Sequence, residues 1–330
     1  MATSAQMKSL IDSHAAGDDD RFYAVALQVA ARAARAGQTK YAVELRDLID
    51  EAQSKAAVMA PVVDLPLQNH PGNDLFERRN PRLNLSDLTL AAPLADKLRE
   101  IVVEQFQSAR LAAYGLEPSR KLLLIGPPGT GKTSTAEALA AEMNLPFLTL
   151  KLDRLITRYM GETAAKLGVA FELIKAQRAV YLFDEVDALA GERADSNDVG
   201  EMRRVLNSFL QFIDEDDSMG LLVAATNHPQ LLDSAFFRRF DEVLYFDKPS
   251  KNQAQTILKE QLLPFDTSGV EWGTLRNVSN GLSQAQLRAA ARSAAKEAIL
   301  YGGGKVSTDR LYKALKSKKV VTNAGKPETI

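Results

Sequence analysis

The stretch that most constrains the fold is the glycine-rich loop GPPGTGKT at residues 126–133. It fits the pattern G-x-x-x-x-G-K-[ST] at every fixed position. The apolar residues 122–125 before it predict a short buried strand, and residues 134–143 after it predict a helix. In such a loop, backbone N–H groups turn inward around an anion, and the positive end of the helix adds to the attraction. The sequence therefore predicts a phosphate-binding loop in an α/β fold.

This loop predicts a nucleoside triphosphate site, with ATP and Mg²⁺ as the expected ligands. Lys132 is expected to reach the β- and γ-phosphates, and the Thr133 hydroxyl is expected to bind Mg²⁺. The alternative is an ordinary Gly/Pro turn between a strand and a helix, which the match at all four fixed positions disfavours. The residues expected to contact the nucleotide are Gly126, Pro127, Pro128, Gly129, Thr130, Gly131, Lys132, Thr133 and Ser134.

The composition excludes several other kinds of site. The chain has no cysteine, which rules out disulfides, thiolate chemistry and cysteine-based zinc sites. Its 41 Lys and Arg against 42 Asp and Glu give a net charge of -1, so nucleic acid is not an expected partner. No apolar run approaches the about 18 residues that span a bilayer, and the N-terminus lacks a signal-peptide core. We therefore expect a cytoplasmic protein without a membrane span.

The first 84 residues divide into a helical module and a linker. Apolar residues at helical spacing predict three short helices within residues 1–55. Three short helices bury little apolar surface, so we expect this module either to dock a partner helix or to pack on the main body of the protein. Residues 56–84 are rich in Pro, Asn and Asp, which predicts a linker rather than a packed element.

From residue 85 the chain alternates helices with short apolar strands. This alternation predicts a parallel sheet with helices on both faces. The candidate strands lie at residues 122–125, 147–150, 180–183, 221–226 and 243–246. We therefore assign residues 85–249 to an α/β domain of the P-loop NTPase class with a five-stranded parallel sheet, residues 250–316 to a helical lid and residues 317–330 to a polar tail.

Two of the predicted strands end in polar residues that suit ATP hydrolysis. Asp184 and Glu185 follow the strand at residues 180–183. At a strand tip beside the phosphate loop, Asp184 is expected to bind Mg²⁺, and Glu185 is expected to be the general base that polarises the attacking water. The alternative is that both acids cap a following helix. Asn227 ends the next strand and is expected either to orient the water or γ-phosphate, or only to cap a helix.

A pair of adjacent arginines, Arg238 and Arg239, follows in the sequence Arg-Arg-Phe-Asp. The phosphate loop, the acid pair, the strand-end Asn227 and these arginines, in this order, resemble the AAA family of ring-forming ATPases over residues 85–315. The adjacency of the arginines is similar to that in the microtubule-severing and filament-disassembling branch. The resemblance implies a homo-hexamer in which both arginines act in trans on the neighbour's γ-phosphate. The alternative is a surface ion pair with Asp241 or Glu242.

The segment Thr-Arg-Tyr-Met-Gly-Glu at residues 157–162 resembles the aromatic–hydrophobic–glycine loop that lines the central pore of AAA translocases. The resemblance implies that Tyr159 inserts between side chains of a protein substrate, that Met160 adds adaptable apolar contact, and that Gly161 lets the loop bend. The alternative for Tyr159 is a core residue or a half-buried surface residue. Residues 192–200 would form a second pore loop.

The sequence GLSQAQ at residues 281–286 is similar to the family's Gly-x-Ser-Gly-Ala-Asp turn, whose backbone abuts the base and ribose. The resemblance implies that Ala285 contacts the nucleotide. Gln284 replaces the usual glycine and Gln286 the usual acid. Arg288 lies one helical turn further on, and the sequence assigns it no role.

Together these features predict an ATP-hydrolysing hexameric motor that threads a protein substrate through a pore or disassembles a protein assembly. The alternative is a switch, in which ATP-dependent ring assembly regulates a partner enzyme. The layout resembles bacterial AAA ATPases paired with a subtilisin-like serine protease in defence systems. The chain has no G-x-S-x-G elbow of its own, so any proteolysis would come from a partner. A DNA motor is disfavoured by the near-neutral charge and the aromatic pore loop.

Overall fold

A computed structural model describes residues 25–26, 29–30, 70–155, 160–190, 198–301 and 303–324. The chain forms two compact units: Met1–Leu65 with Gln105–Glu117, and Pro66–Glu104 with Pro118–Ile330. In the first unit, residues 25–26 and 29–30 are helical, and Ala26, Val29 and Ala30 are buried. The remainder of the predicted three-helix module lies outside the described residues.

The second unit contains a six-stranded sheet in the order β1-β3-β4-β5-β2-β6. Every neighbouring pair is parallel except β1 and β3, which are antiparallel. The strands are β1 (Phe76–Arg79), β2 (Lys121–Ile125), β3 (Phe147–Leu150), β4 (Val180–Phe183), β5 (Leu221–Thr226) and β6 (Glu242–Tyr245). The predicted α/β fold with a helix-covered sheet is confirmed, and each predicted parallel strand is present to within one residue.

Helices connect the strands and continue beyond the sheet. Short 3₁₀ helices lie at Pro71–Leu75, Leu85–Asp87, Val186–Ala190 and Pro229–Leu231. The α-helices are α1 (Ala92–Phe106), α2 (Ser108–Ala112), α3 (Lys132–Glu142), α4 (Leu152–Leu155), α5 (Met160–Ala176), α6 (Asp198–Asp214), α7 (Ser234–Phe237), α8 (Lys251–Gln261), α9 (Trp272–Ser279), α10 (Gln284–Tyr301) and α11 (Thr308–Ala324).

The central strands carry almost continuous apolar sequence because both faces of the sheet are covered. Every residue of β4 and β5 is buried, as are the last four residues of β2. The three strands lie side by side, with Leu182 paired to Val223 and Leu124 paired to Ala225. Their carboxyl ends therefore meet at one edge of the sheet, where α/β proteins commonly place their ligands.

The predicted linker at residues 56–84 is wrong for its C-terminal part. Residues 76–79 form the edge strand β1, and the buried ring of Phe76 packs edge-on against Tyr181 at a centroid distance of 5.4 Å. This strand is short, and Phe76 is its only fully buried residue, so it produces no alternating apolar pattern. The prolines lie outside the strand, where they leave its ladder intact. The sheet consequently has six strands rather than five.

Helices α8 to α11 pack around a separate apolar core. Alanines of α10, including Ala291 and Ala294, are fully buried there with Leu258 and Leu311. The predicted polar tail at residues 317–330 is corrected in part, because α11 extends to Ala324. Its last turns contain Lys, Ser and Val, with no Gly or Pro before residue 325, so nothing in this sequence ends the helix earlier.

Candidate nucleotide site

The phosphate loop joins β2 to α3 in a conformation that requires glycine. A Cβ atom on Gly126 would overlap the carbonyl oxygen of Phe246. Gly129 and Gly131 have φ angles of 75° and 106°, in the left-handed region that other residues rarely adopt. The buried Thr130 hydroxyl donates a 2.9 Å hydrogen bond back to the Pro127 carbonyl. The loop is therefore held open by its glycines and fixed internally by one hydroxyl.

Lys132, the first residue of α3, is 6% exposed and ties the loop to β5. Its Nζ donates to the carbonyl oxygens of Gly126 at 2.6 Å and Pro127 at 3.1 Å. It also donates to Oδ1 of Asn227 at 2.7 Å. All three acceptors are neutral, so none of these hydrogen bonds joins the ammonium group to a carboxylate. The site therefore offers a desolvated cation to an anionic ligand.

Burial lowers the pKa of Lys132 below its ordinary value. The carboxylates of Asp184, Asp187 and Glu185 act on that pKa in the opposite direction, by a smaller amount than burial. The surrounding acids thus compensate the desolvated ammonium only partly. Phosphate oxygens bound at Nζ would supply the missing negative charge.

The two acids that follow β4, Asp184 and Glu185, have different surroundings. The Thr133 hydroxyl donates to Oδ2 of Asp184 at 2.7 Å, and the backbone N–H of Glu185 donates to Oδ1 of Asp184 at 3.0 Å. Glu185 has a φ angle of 54°, a left-handed conformation that costs a non-glycine residue about 1–3 kcal/mol. Its side chain is exposed and lines the cavity. Strain of this kind, held by a neighbouring hydrogen bond, is typical of a catalytic position.

The Thr133–Asp184 pair fits a Mg²⁺ site. A hydroxyl and a carboxylate 2.7 Å apart are the hard oxygen ligands that this ion takes in ATP-binding proteins. Among the described residues there is no group of three or more His, Cys, Asp or Glu that could hold a metal ion. The protein would thus supply few ligands, and the remaining ones would be phosphate oxygens and water, as Mg²⁺ commonly prefers.

Asp187 is a site residue that the sequence analysis missed. Its Oδ1 accepts hydrogen bonds from the Thr226 hydroxyl at 2.7 Å and from the backbone N–H of Asn227 at 3.2 Å. It therefore fixes the end of β5, where Asn227 accepts from Lys132. The available signal is the third acid in Asp-Glu-Val-Asp, which places another carboxylate in the turn after β4.

The start of α10 contacts the phosphate loop from the lid. The backbone N–H of Ala285 donates to the Gly129 carbonyl at 3.1 Å. Oε1 of Gln286 accepts from the backbone N–H of Ser283 at 2.8 Å, and Oγ of Ser283 accepts from the N–H of Gln286 at 3.4 Å. These two bonds form a capping box. Gln286 thus provides the acceptor that an acid would provide in the similar turn.

These elements enclose a cavity of about 410 Å³. It contains most of the residues that the sequence singles out, together with four that it does not assign to the site. The expected residues that line it are Pro128, Gly129, Gly131, Lys132, Thr133, Ser134, Asp184, Glu185, Asn227 and Ala285. The additional ones are Leu88, Gln284, Arg288 and Arg292. Their contribution depends on contacts between distant segments, which a local motif does not reveal.

Arg288 and Arg292 add positive charge on the lid side of this cavity. They are four residues apart in α10 and therefore share one helix face. Within the described parts of the chain, neither side chain forms an ion pair or hydrogen bond. Both guanidinium groups are consequently available to a ligand.

The predicted arginine pair lies outside this cavity. Arg239 is 2.9 Å from Asp214 across an ion pair between Nε and Oδ2, and its Nη1 donates to the Ala235 carbonyl at 3.4 Å. Arg238 is exposed and has no partner among residues that the structure describes.

The alternative ion pairs of these arginines with Asp241 or Glu242 are not formed. Oδ2 of Asp241 accepts from the backbone N–H of Lys121 at 2.8 Å, and Glu242 pairs with Lys97 at 2.8 Å. Both acids are thus engaged elsewhere.

Most residues of the two predicted pore loops are not among the described residues. Tyr159 is not among the described residues, whereas Met160 and Gly161 form the first turn of α5. Of residues 192–200, only the last three are described, and they begin α6. No helix in the described ranges is long and apolar enough to cross a membrane.

Comparison with known proteins covers most of this chain. The model of the ATPase family associated with various cellular activities (AAA) matches residues 122–248. An uncharacterized AAA family ATPase of Sinorhizobium fredii, y4kL, is 38% identical over 306 residues, which cover 91% of this chain and 90% of that protein.

More distant relatives are named proteasome-activating nucleotidases. The protein of Thermococcus kodakarensis is 32% identical over 78% of this chain and 67% of its own length. That of Pyrococcus horikoshii is 33% identical over 73% of this chain and 63% of its own length. Among solved structures, the FIGL-1 AAA domain matches with a TM-score of 0.61 at 22% identity, covering 79% of this chain and 97% of that domain. This last similarity concerns the fold.

Proposed function

Because the chain belongs to the AAA family of ATPases and hydrolyses ATP, we propose that it is a hexameric motor that remodels a protein substrate. The observation that carries the proposal is the contrast between a nearly complete nucleotide site and the exposed Arg238, which lies outside that site. If a neighbouring copy completes the site, an arginine has to lie exposed on the surface and outside the site of its own copy, as Arg238 does. Each catalytic unit would then include residues of two copies in the ring.

Within one copy, five side chains would act on ATP and its Mg²⁺. Lys132 would bind the β- and γ-phosphates, and Asn227, which contacts its Nζ, would orient the γ-phosphate or the attacking water. Glu185 would accept the proton of that water. Thr133 and Asp184 would hold Mg²⁺, which neutralises phosphate charge and orients the phosphates.

The neighbouring copy would contribute the arginine pair. Arg238 is free to extend from the surface of one copy into the site of the next, where it would stabilise the charge on the γ-phosphate in the transition state. Arg239 is held to Asp214 of its own copy. It would reach the phosphate only after that ion pair opens, so we assign Arg238 the larger share.

Two points support a protein as the substrate. The proteasome-activating nucleotidases among the relatives are named for an action on a protein complex. The Tyr-Met-Gly sequence at residues 159–161 resembles a substrate-gripping pore loop. Hydrolysis would move these loops and pull a polypeptide through the pore or separate an assembly.

A substrate trap tests this function. Tagged Glu185→Gln protein would bind ATP yet hydrolyse it at least about 10²-fold more slowly, because the general base is lost. It would be added to lysate with ATP, and captured proteins would be identified by mass spectrometry, with Lys132→Ala as the matched control that binds no ATP. We expect a protein that is captured by Glu185→Gln and lost when Tyr159→Ala is added.

Capture that does not depend on Tyr159 would contradict threading and favour the assembly switch. A serine protease captured in that way would identify the partner enzyme of such a switch. Near-normal hydrolysis by Glu185→Gln would contradict the assignment of the base.

A further inference from the structure

The side chain of Gln284 lies within the nucleotide cavity. Gln284 is the first residue of α10, is 8% exposed and lines the cavity. Its Nε2 donates a 2.9 Å hydrogen bond to the carbonyl oxygen of Thr89. A nearly buried amide leaves such a partner only at a cost, because the carbonyl and the amide both lose a bond.

The carboxamide of Gln284 lies between the phosphate loop and the segment before α1. A Cβ atom on Gly131 would lie 3.7 Å from Oε1 and 3.8 Å from Nε2 of Gln284, so the whole carboxamide lies beside the phosphate loop. Its Nε2 is bonded to Thr89, next to Leu88, which lines the cavity. The side chain therefore bridges these two walls.

A bound nucleotide has to cross the same region. Lys132 and the Thr133–Asp184 pair fix the charged end of the cavity, where the triphosphate and Mg²⁺ belong. Leu88 and Ala285 supply apolar surface of the kind that a nucleobase contacts. The Gln284 carboxamide lines this cavity together with Leu88 and lies beside Gly131, so it takes up space that the nucleoside of a loop-bound nucleotide would need.

We propose that the Gln284 carboxamide competes with the nucleoside part of ATP, and that this residue thereby sets nucleotide affinity. The Gln284–Thr89 hydrogen bond and the bound nucleoside are alternatives for one space, so binding has to break that bond. The similar turn in the AAA family has glycine at this position and thus no competing side chain. The inference depends on the nucleotide site alone and not on ring formation or on the protein substrate.

The same hydrogen bond couples nucleotide binding to the lid. The Thr89 hydroxyl donates to Oε2 of Glu260 in α8 at 3.1 Å, while its carbonyl accepts from Gln284 in α10. Two lid helices are thus fastened to one residue beside the cavity. Displacement of Gln284 would release α10 from Thr89. The hydrogen bond from the Ala285 N–H to the Gly129 carbonyl would still join α10 to the phosphate loop.

Nucleotide affinity tests this inference. Full-length wild type, Gln284→Ala and Gln284→Met would be titrated with a fluorescent ATP analogue and Mg²⁺. Gln284→Met keeps the size of the side chain but removes the donor. We expect both variants to bind about 2- to 10-fold more tightly, the effect of one net hydrogen bond. Gln211→Ala, an exposed glutamine on α6, is the matched control and should not change the Kd.

Thermal unfolding without nucleotide provides an independent readout. Loss of the Gln284–Thr89 bond should lower the Tm of both Gln284 variants, while saturating nucleotide should raise their Tm by more than it raises that of wild type. Unchanged or weaker nucleotide binding in Gln284→Met would overturn the inference. Weaker binding in Gln284→Ala would overturn it as well, since it would mean that the carboxamide assists the nucleotide.

Discussion

The two sides of the nucleotide cavity are built in different ways. On the sheet side, each charged group is hydrogen-bonded to a neutral side chain: Lys132 donates to Asn227, and Asp184 accepts from Thr133, each at 2.7 Å. On the lid side, Arg288 and Arg292 have no hydrogen bond or ion pair within the described residues. The sheet side therefore fixes the positions of its catalytic groups, whereas the lid side presents charge that a ligand can recruit.

The same difference separates the two adjacent arginines. Arg239 is bound to Asp214 of its own copy, and Arg238 extends from the surface without a partner in the described part of the chain. Partnered groups such as Lys132 and Arg239 are held in place by their own copy, whereas Arg238 and Arg288, which lack a side-chain partner among the described residues, can move towards a neighbouring copy or a nucleotide.

The largest effect is expected from the arginine pair. Arg238→Ala should lower kcat for ATP hydrolysis by about 10³-fold or more, as loss of an arginine finger does. Arg239→Ala should lower it by about 2- to 5-fold less, because opening its partly exposed ion pair with Asp214 costs at most about 1 kcal/mol. Steady-state ATPase assays at equal ring concentration compare the two. An Arg239→Ala defect equal to that of Arg238→Ala would break the distinction, and Asp214→Asn would then show whether the ion pair matters.

The sheet side was largely predictable because its residues follow a strand-end rule. The phosphate loop is contiguous in sequence, and Asp184 and Asn227 follow apolar strands whose ends must meet in a parallel sheet. Strand β1 was not predictable, because a four-residue edge strand with one buried Phe lacks an apolar period.

The lid side could not be predicted in the same way. Gln284 bonds to Thr89 across 195 positions of sequence, and no local pattern reports such a contact. Arg288 and Arg292 resemble any exposed pair on an amphipathic helix until the position of α10 over the phosphate loop is known. Their assignment therefore needs the tertiary structure.

An intermediate effect is expected from Asp187 on the sheet side. Asp187→Ala leaves the Thr226 hydroxyl and the Asn227 N–H without this acceptor, which should lower the free energy of unfolding by about 1–3 kcal/mol. Misplacement of Asn227 should also reduce kcat by about 10- to 100-fold. Chemical denaturation and ATPase assays measure the two effects.

Asp187→Asn is the conservative control, because it keeps an acceptor oxygen at this position. It should lie between wild type and Asp187→Ala in both measurements. An unchanged kcat in Asp187→Ala would show that the end of β5 is positioned by other contacts.

The smallest effect is expected on the lid side. Arg288→Ala should raise the KM for ATP by about 3- to 10-fold with little change in kcat, because a phosphate contact from the lid adds binding without positioning the water. Arg288→Lys should recover part of this loss. Arg276→Ala, which removes an exposed lid arginine outside the cavity, is the matched control and should leave KM unchanged. A large fall in kcat for Arg288→Ala would place this arginine among the catalytic groups.

The most direct test of the central claim, that a neighbouring copy completes each site, mixes two inactive proteins. Arg238→Ala keeps an intact nucleotide pocket, and Lys132→Ala keeps an intact Arg238. In rings assembled at equal amounts, about a quarter of the interfaces would combine the intact pocket of one with the Arg238 of the other. We predict that the mixture regains roughly that fraction of wild-type ATPase activity. If the mixture stays as inactive as its components although mixed rings form, Arg238 does not act across the interface.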